Sequence, residues 1–226
     1  MVYIYHNLIG TVKFPNGAHD CATIYPMKTT KPNPIEIHAS LPRGRHSLSR
    51  EQVRMSQRTR VLDAFADLVA EKGYAKVTIG DIVTKGGVAK RTFYEYFDDK
   101  EACFQAGGEY LAGKVAEAIV IPHDPNMNLY HRAEAPIRGL LQVLQDHPTY
   151  ARASFVEVWA AGDRAIRRRL GVTRQLAQLL ASLSQDVSRH QSEARAISEI
   201  HALAVISAID AYLFRVIYAE GAVNLT

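Results

Sequence analysis

Residues Thr78–Lys100, TIGDIVTKGGVAKRTFYEYFDDK, read as two short helices joined by a glycine turn. Thr78 is a good N-cap and Asp81, three residues on, completes a capping-box-like pair, while Ile79, Ile82 and Val83 give the first helix one apolar face. Gly86 and Gly87 break that helix, and glycine suits the turn because a positive φ costs it nothing. Val88 can then plug the angle between the helices while Ala89, Lys90, Arg91, Thr92 and Tyr94 begin the second. Phe93 and Phe97, four apart, pin it to a core. The residues left outside are cationic, hydroxyl-bearing and aromatic, the types that reach phosphates and base edges when a recognition helix enters a major groove. The stretch is a helix-turn-helix.

A generic motif of this kind would share only the glycine turn and the apolar spacing. This chain adds a long preceding helix ending in EKGY, the recognition segment GGVAKRTFYEYF, and DDKEACF opening a further helix. With its Phe93-Tyr94-x-Tyr96-Phe97-x-x-Lys100 run, the pattern resembles the DNA-binding domain of the tetracycline-repressor (TetR) family of bacterial transcriptional regulators, over roughly residues 49–117. The resemblance implies an all-α protein: a helix-turn-helix head, expected over residues 41–97, followed by a helical bundle for ligand binding and dimerisation over 98–226. In the head it implies base contacts from Ala89, Lys90, Arg91 and Thr92, and phosphate contacts from Thr78, Tyr94, Tyr96 and Lys100, helped by the helix N-termini.

Charge placement agrees with a nucleic-acid partner. Residues 41–100 carry 12 Lys/Arg against 8 Asp/Glu and residues 101–226 carry 12 against 13, so the basic excess sits where phosphates would be met. Arg43 and Arg45, flanking Gly44 after Pro42, can form a flexible arm for a minor groove; a solvated basic helix start accounts for the same residues equally well. Residues 1–40, with four prolines and no helical period, are an atypical N-terminal extension, expected to be irregular and given no function.

From Ser49 the chain reads as helix nearly throughout. Ser49 with Gln52 caps the first helix, and Val61, Leu62, Phe65, Leu68 and Val69 form its buried stripe before Gly73 ends it. Asp98 with Glu101 can cap a fourth helix reaching Ile119. Further helices are expected over 128–146, kinked or begun late at Pro136, and over 148–160, 163–183 and 192–219. No segment sustains strand alternation. No uninterrupted apolar run approaches the ~18 residues of a membrane span, and the longest, Ala202–Ile209, stops at Asp210. Two cysteines make no disulfide framework, so a reducing cytoplasm is expected.

Enzymatic and metal chemistry find little support. Gly108–Lys114 fits the G-x-x-x-x-G-K skeleton of a phosphate loop, but Val115 stands where Ser or Thr should be and no strand precedes it. The nine histidines show no ligand spacing, and no cofactor or metal is expected. Arg167-Arg168-Arg169 reads as a solvated helix face.

For the second domain the resemblance implies a dimer interface and a pocket for an effector of unknown identity. Phe104, Tyr110, Leu140, Leu144, Phe155, Trp159, His201 and Tyr212 could line the pocket, or the aromatics could simply be core. The last helix is apolar over more than one face, and Ile206, Ile209, Leu213 and Ile217 are the expected intersubunit contacts. The reading is a homodimeric, ligand-responsive repressor on a palindromic operator in double-stranded DNA. The alternative is a helical small-molecule-binding or scaffold protein with a vestigial head.

Overall fold

Ser49 opens the first helix by a reciprocal cap. In the computed structural model, which describes residues 49–119, 127–191 and 193–222, its hydroxyl accepts the Gln52 N–H at 3.1 Å and the Gln52 carbonyl accepts the Ser49 N–H at 2.8 Å. Two donors with no intrahelical partner are thereby satisfied, and α1 runs Arg50–Lys72. The extension over 1–40 and the Arg43/Arg45 arm lie outside the described residues. Gly73 stops α1 at φ 81° and ψ 149°, a conformation in which any Cβ is strained, and a 3₁₀ turn, Tyr74–Lys76, leads into the helix-turn-helix.

There α2 (Ile79–Gly86) and the short α3 (Lys90–Tyr94) follow one another. Asp99, rather than the expected Asp98, caps α4 (Lys100–Ala118) by accepting the Ala102 N–H at 2.7 Å. Phe104 and Leu111 of this helix are buried. Beyond it come α5 (Leu129–Asp146), α6 (Pro148–Phe155), α7 (Asp163–His190) and α8 (Glu199–Ala219). Pro136 lies inside α5 and does not delay its start. The helix expected over 148–160 is two pieces, because α6 tightens into a 3₁₀ turn over Glu157–Ala160. α7 continues past residue 183 to His190, and α8 starts at Glu199, where Ser198 caps it. Among the described residues every regular element is helical, the all-α class expected.

A single apolar core runs through both ends of the molecule. It joins Ile82, Phe93 and Phe97 of the head to Val61, Phe65 and Val69 of α1, and these to Phe104, Leu144, Tyr150, Phe155, Leu213 and Ile217. The core includes residues on both sides of position 98, the expected boundary between head and bundle, with Phe97 before it and Cys103 after it. A smaller cluster of Ala177, Ala181 and Ala202 lets α7 and α8 approach closely.

The arginine run of α7 fans out instead of facing solvent together, because successive helical residues point about 100° apart. Arg167 stays exposed and pairs with Asp163; Arg168 reaches Glu109 at 2.9 Å and the Gln105 carbonyl at 3.1 Å on α4. Arg169 turns inward, pairs with Asp210 of α8, and lies 4.1 Å over the Phe155 ring. Thr173 donates to the same carboxylate at 3.0 Å. α8 is nevertheless long and apolar enough to cross a membrane by length and composition, which counting uninterrupted runs had hidden. Its one internal carboxylate is matched by Arg169, and its inner face is buried against this chain.

Gly73→Ala tests the stop of α1. Forcing a Cβ into that backbone region should cost about 1–3 kcal/mol, read as a lowered midpoint in urea unfolding, with no change in helix content below the transition. An unchanged midpoint would show that the turn relaxes freely.

Candidate nucleic-acid interface

Thr78 and Asp81 cap α2 reciprocally: Asp81 accepts from the Thr78 N–H at 2.8 Å and from its hydroxyl at 2.7 Å, and Thr78 Oγ1 accepts the Asp81 N–H at 3.2 Å. Lys72 closes on Asp81 at 2.8 Å, and with Thr78 it holds that carboxyl well below the usual carboxylate range. At the far end Gly87 adopts φ 59° and ψ 40°, the left-handed conformation that reverses the chain at little cost for glycine. Gly86 lies against α1, where an added Cβ would stand 3.2 Å from the Arg60 carbonyl. Arg60 clasps the turn from the same side, donating to the Gly87 carbonyl at 3.4 Å.

Phe93 is fully buried and its ring stacks obliquely on Phe97 at 5.6 Å, so α3 shows a fixed face to solvent. Ala89, Lys90, Arg91 and Tyr94 are exposed and Thr92 is half-buried. Arg91 is 91% exposed, and its 3.5 Å pair with Glu95 is a weak surface interaction that a phosphate or base edge could replace. The expected base-contacting set therefore shares one accessible end of the molecule.

The expected phosphate set divides. Thr78 and Tyr94 are exposed. Tyr96 is half-buried and donates to Gln57 of α1 at 3.0 Å. Lys100 is turned inward: its ammonium donates to the Tyr74 carbonyl at 3.0 Å and the Val77 carbonyl at 3.1 Å, and sits 4.2 Å over the Tyr74 ring. Burial pulls its pKa below the ordinary lysine value. A phosphate contact by Lys100 would have to displace all three interactions, so in this geometry the residue ties α4 to the turn after α1. What its position in the sequence could not reveal is that two carbonyls of that turn point at it.

Residues that sequence reasoning passed over lie on the outer side of α2. Thr84 and Lys85, with Leu68, Thr78, Gly80 and Asp81, line an open groove of about 460 Å³. Lys85 pairs with Glu71 and, at 3.6 Å, with Asp67. Two of these groups were visible as a polar helix face, but no spacing marked them.

The residues expected to line an effector pocket are not brought around one cavity. Phe104, Leu144 and Phe155 are buried core, and Tyr110 and Leu140 pack against it. Tyr110 stacks on Tyr150 with centroids 4.9 Å apart. Trp159 is 53% exposed on its 3₁₀ turn, and Tyr212 and His201 lie on the outward side of α8. Close packing of α1, α4 and α6 leaves a crevice of about 10 Å³ beside Phe65, Phe104 and Tyr150, room for one water at most.

The expected dimer contacts lie against this chain's own helices. Leu213 and Ile217 are 2% and 0% exposed in this chain's own core, and Ile206 and Ile209 are half-buried against it. The apolar side chains that α8 presents outward are Ile200, Val205, Tyr212, Phe214 and Tyr218. Apolar residues recur on both faces, and only the packing of α7 against one of them decides which is inner.

This fold and exposed face define a helix-turn-helix protein of the all-α class. Residues 61–106 match the model of the bacterial regulatory proteins of the tetR family. Two curated relatives from Bacillus subtilis are similar to part of this chain, the uncharacterized HTH-type transcriptional regulators YvdT and YxbF. YvdT is 44% identical over 60 residues, 26% of this chain and 31% of that protein. YxbF is 33% identical over 86 residues, 38% of this chain and 23% of that protein. The chain thus spans under a third of either relative. Among solved structures, the transcriptional regulator FadR from Bacillus subtilis in complex with stearoyl-CoA superposes with a TM-score of 0.60 at 17% identity, covering 74% of this chain and 92% of that one. The fold likeness covers more of the chain than the sequence likeness does.

Lys100→Ala should lower stability by about 1–3 kcal/mol, the worth of hydrogen bonds from a charged group. The slope of log K for DNA against log salt should stay unchanged. A slope reduced by about 0.9 with unaltered stability would instead return Lys100 to the phosphates.

Proposed function

We propose that the protein is a homodimeric, ligand-responsive transcriptional regulator, a repressor in its simplest form, that acts in the cytoplasm on a palindromic operator. The observation that carries the reading is the exposed face of α3, where Lys90, Arg91 and Tyr94 project from a helix anchored by a fully buried Phe93. Ala89, Lys90, Arg91 and Thr92 read base edges, with Arg91 best suited to a bidentate contact with guanine. Thr78 and Tyr94 hold phosphates, joined by Tyr96 if it releases Gln57, and Arg43 and Arg45 supply a minor-groove arm.

A palindromic site requires two heads, and the outward face of α8 is the surface offered to a second copy. Val205, Ala208 and Tyr212 fall at i, i+3 and i+7 on it, beside the stacked Phe214–Tyr218 pair. Two recognition helices reading successive major-groove faces then stand about 34–36 Å apart. The structural neighbour with stearoyl-CoA makes an apolar, acyl-bearing effector the first class to try here. Such a molecule does not fit the 10 Å³ crevice, so it would have to prefer a state in which α4 and α6 part.

Lys90→Ala and Arg91→Ala should each cost about 1–3 kcal/mol against the best operator and less against single-base variants, flattening discrimination in gel-shift titrations. If both variants keep wild-type affinity and preference, the reading face is elsewhere.

Tyr212→Glu and Val205→Glu should give folded monomers by sedimentation, with operator affinity lost through the second half-site. Leu213→Glu should unfold the chain, since that side chain is core. A Tyr212→Glu dimer of wild-type affinity would move the interface off α8.

A further inference from the structure

The peptide of Tyr74 is held from both sides by opposite charges. Its N–H donates to the Glu157 carboxylate at 2.9 Å, and its carbonyl accepts from the Lys100 ammonium at 3.0 Å. The two grips come from different parts of the bundle, Lys100 from the start of α4 and Glu157 from the 3₁₀ turn after α6. The Glu157 contact is a tertiary one, since its partners are 83 positions apart in the sequence. Gly73 reports the same closeness independently: a Cβ there would stand 3.3 Å from Glu157 Oε2. The carboxylate therefore approaches a segment where the chain has dispensed with a side chain.

Glu157 is itself held by the bundle. Two residues before it, Phe155 is buried and carries the Arg169 guanidinium over its ring, and Arg169 is paired with Asp210 of α8. Six residues before Glu157's neighbour Val156, Tyr150 donates from α6 to Asp63 of α1 at 2.8 Å, a bond between the helices that precede the two turns. The turn that ends α1 is thus bolted to α6, and α6 is braced against the helix offered to the second copy.

We infer that Glu157 is a positioning residue for operator reading: its bond to the Tyr74 N–H fixes the angle of the helix-turn-helix on the bundle, and so the spacing of two heads in a dimer. The inference rests on the operator-binding reading. Glu157 lies away from the α3 face and touches no base or phosphate in this role. A single head bound to half an operator does not depend on the angle, whereas two heads on one duplex do, because an angular error must be corrected before the second helix can enter its groove.

The test compares full and half sites. A duplex is selected from a random pool with the wild-type protein, and affinities are measured for it and for a duplex carrying one half-site, at a temperature where circular dichroism shows every variant folded. Glu157→Ala should weaken full-site binding about tenfold, the loss of one hydrogen bond to a charged group, and leave half-site binding unchanged. Glu157→Gln keeps an acceptor without the charge and should fall between the two, which keeps the comparison available should the alanine variant not fold. Equal losses on both duplexes would mean that Glu157 only supports the head's own fold, and full-site binding at wild-type strength would mean that the bond positions nothing; either overturns the inference alone. A wild-type protein that selects no duplex overturns the operator-binding reading and the inference with it.

Discussion

Helix α1 is buried on two faces at once, and the rest of the molecule is arranged around that constraint. Val61, Leu62, Ala64, Phe65, Ala66, Leu68 and Val69 are all nearly inaccessible, a density that no single-sided amphipathic helix requires. One face receives α2 and α3, and the other receives α4 and α6, so the helix that supports the helix-turn-helix is also a wall of the bundle. The polar residues on its flanks are used accordingly: Asp63 accepts from Tyr150 on α6, and Asp67 meets Lys85 on α2. Removing the bundle would expose half of α1, and the apolar core accordingly includes residues on both sides of position 98, Phe97 and Cys103.

The reading head was legible because its information is local. A reciprocal cap at Thr78, a left-handed glycine at 87 and two phenylalanines four apart each state their structure within a few residues, and each is found as read. The bundle was legible in kind and less so in orientation. Helices were recognisable from capping residues and periodicity, but α8 carries apolar side chains all round, and sequence alone does not say whether Leu213 or Tyr212 looks inward. Arg169 shows the same limit: three consecutive arginines read as one solvated face, although helical geometry sends the third toward Asp210, 41 residues on. Lys100 belongs to this group too, since its role depends on the carbonyls of a turn 23 and 26 residues earlier.

Conformational economy decides what kind of regulation such a molecule can carry. The crevice between α1, α4 and α6 holds no more than a water, so the form described is the packed one, and a bulky effector can enter only by separating helices that now touch. Those helices include α4, with Lys100 on the Tyr74 carbonyl, and α6, which leads to Glu157 on the Tyr74 N–H. Any wedge between them acts directly on the turn that joins the bundle to the head. Its leverage is bounded by its differential affinity for the two forms, and taking a regulator from almost fully bound to almost fully released needs about 5.5 kcal/mol of such preference. An acyl chain burying ~0.8 kcal/mol per methylene could supply that with about seven methylenes in addition to whatever it costs to open the core. On the proposed ligand-responsive reading, a small polar effector has no comparable source of energy in a cleft lined by Phe65, Phe104 and Tyr150, whereas a long apolar one does.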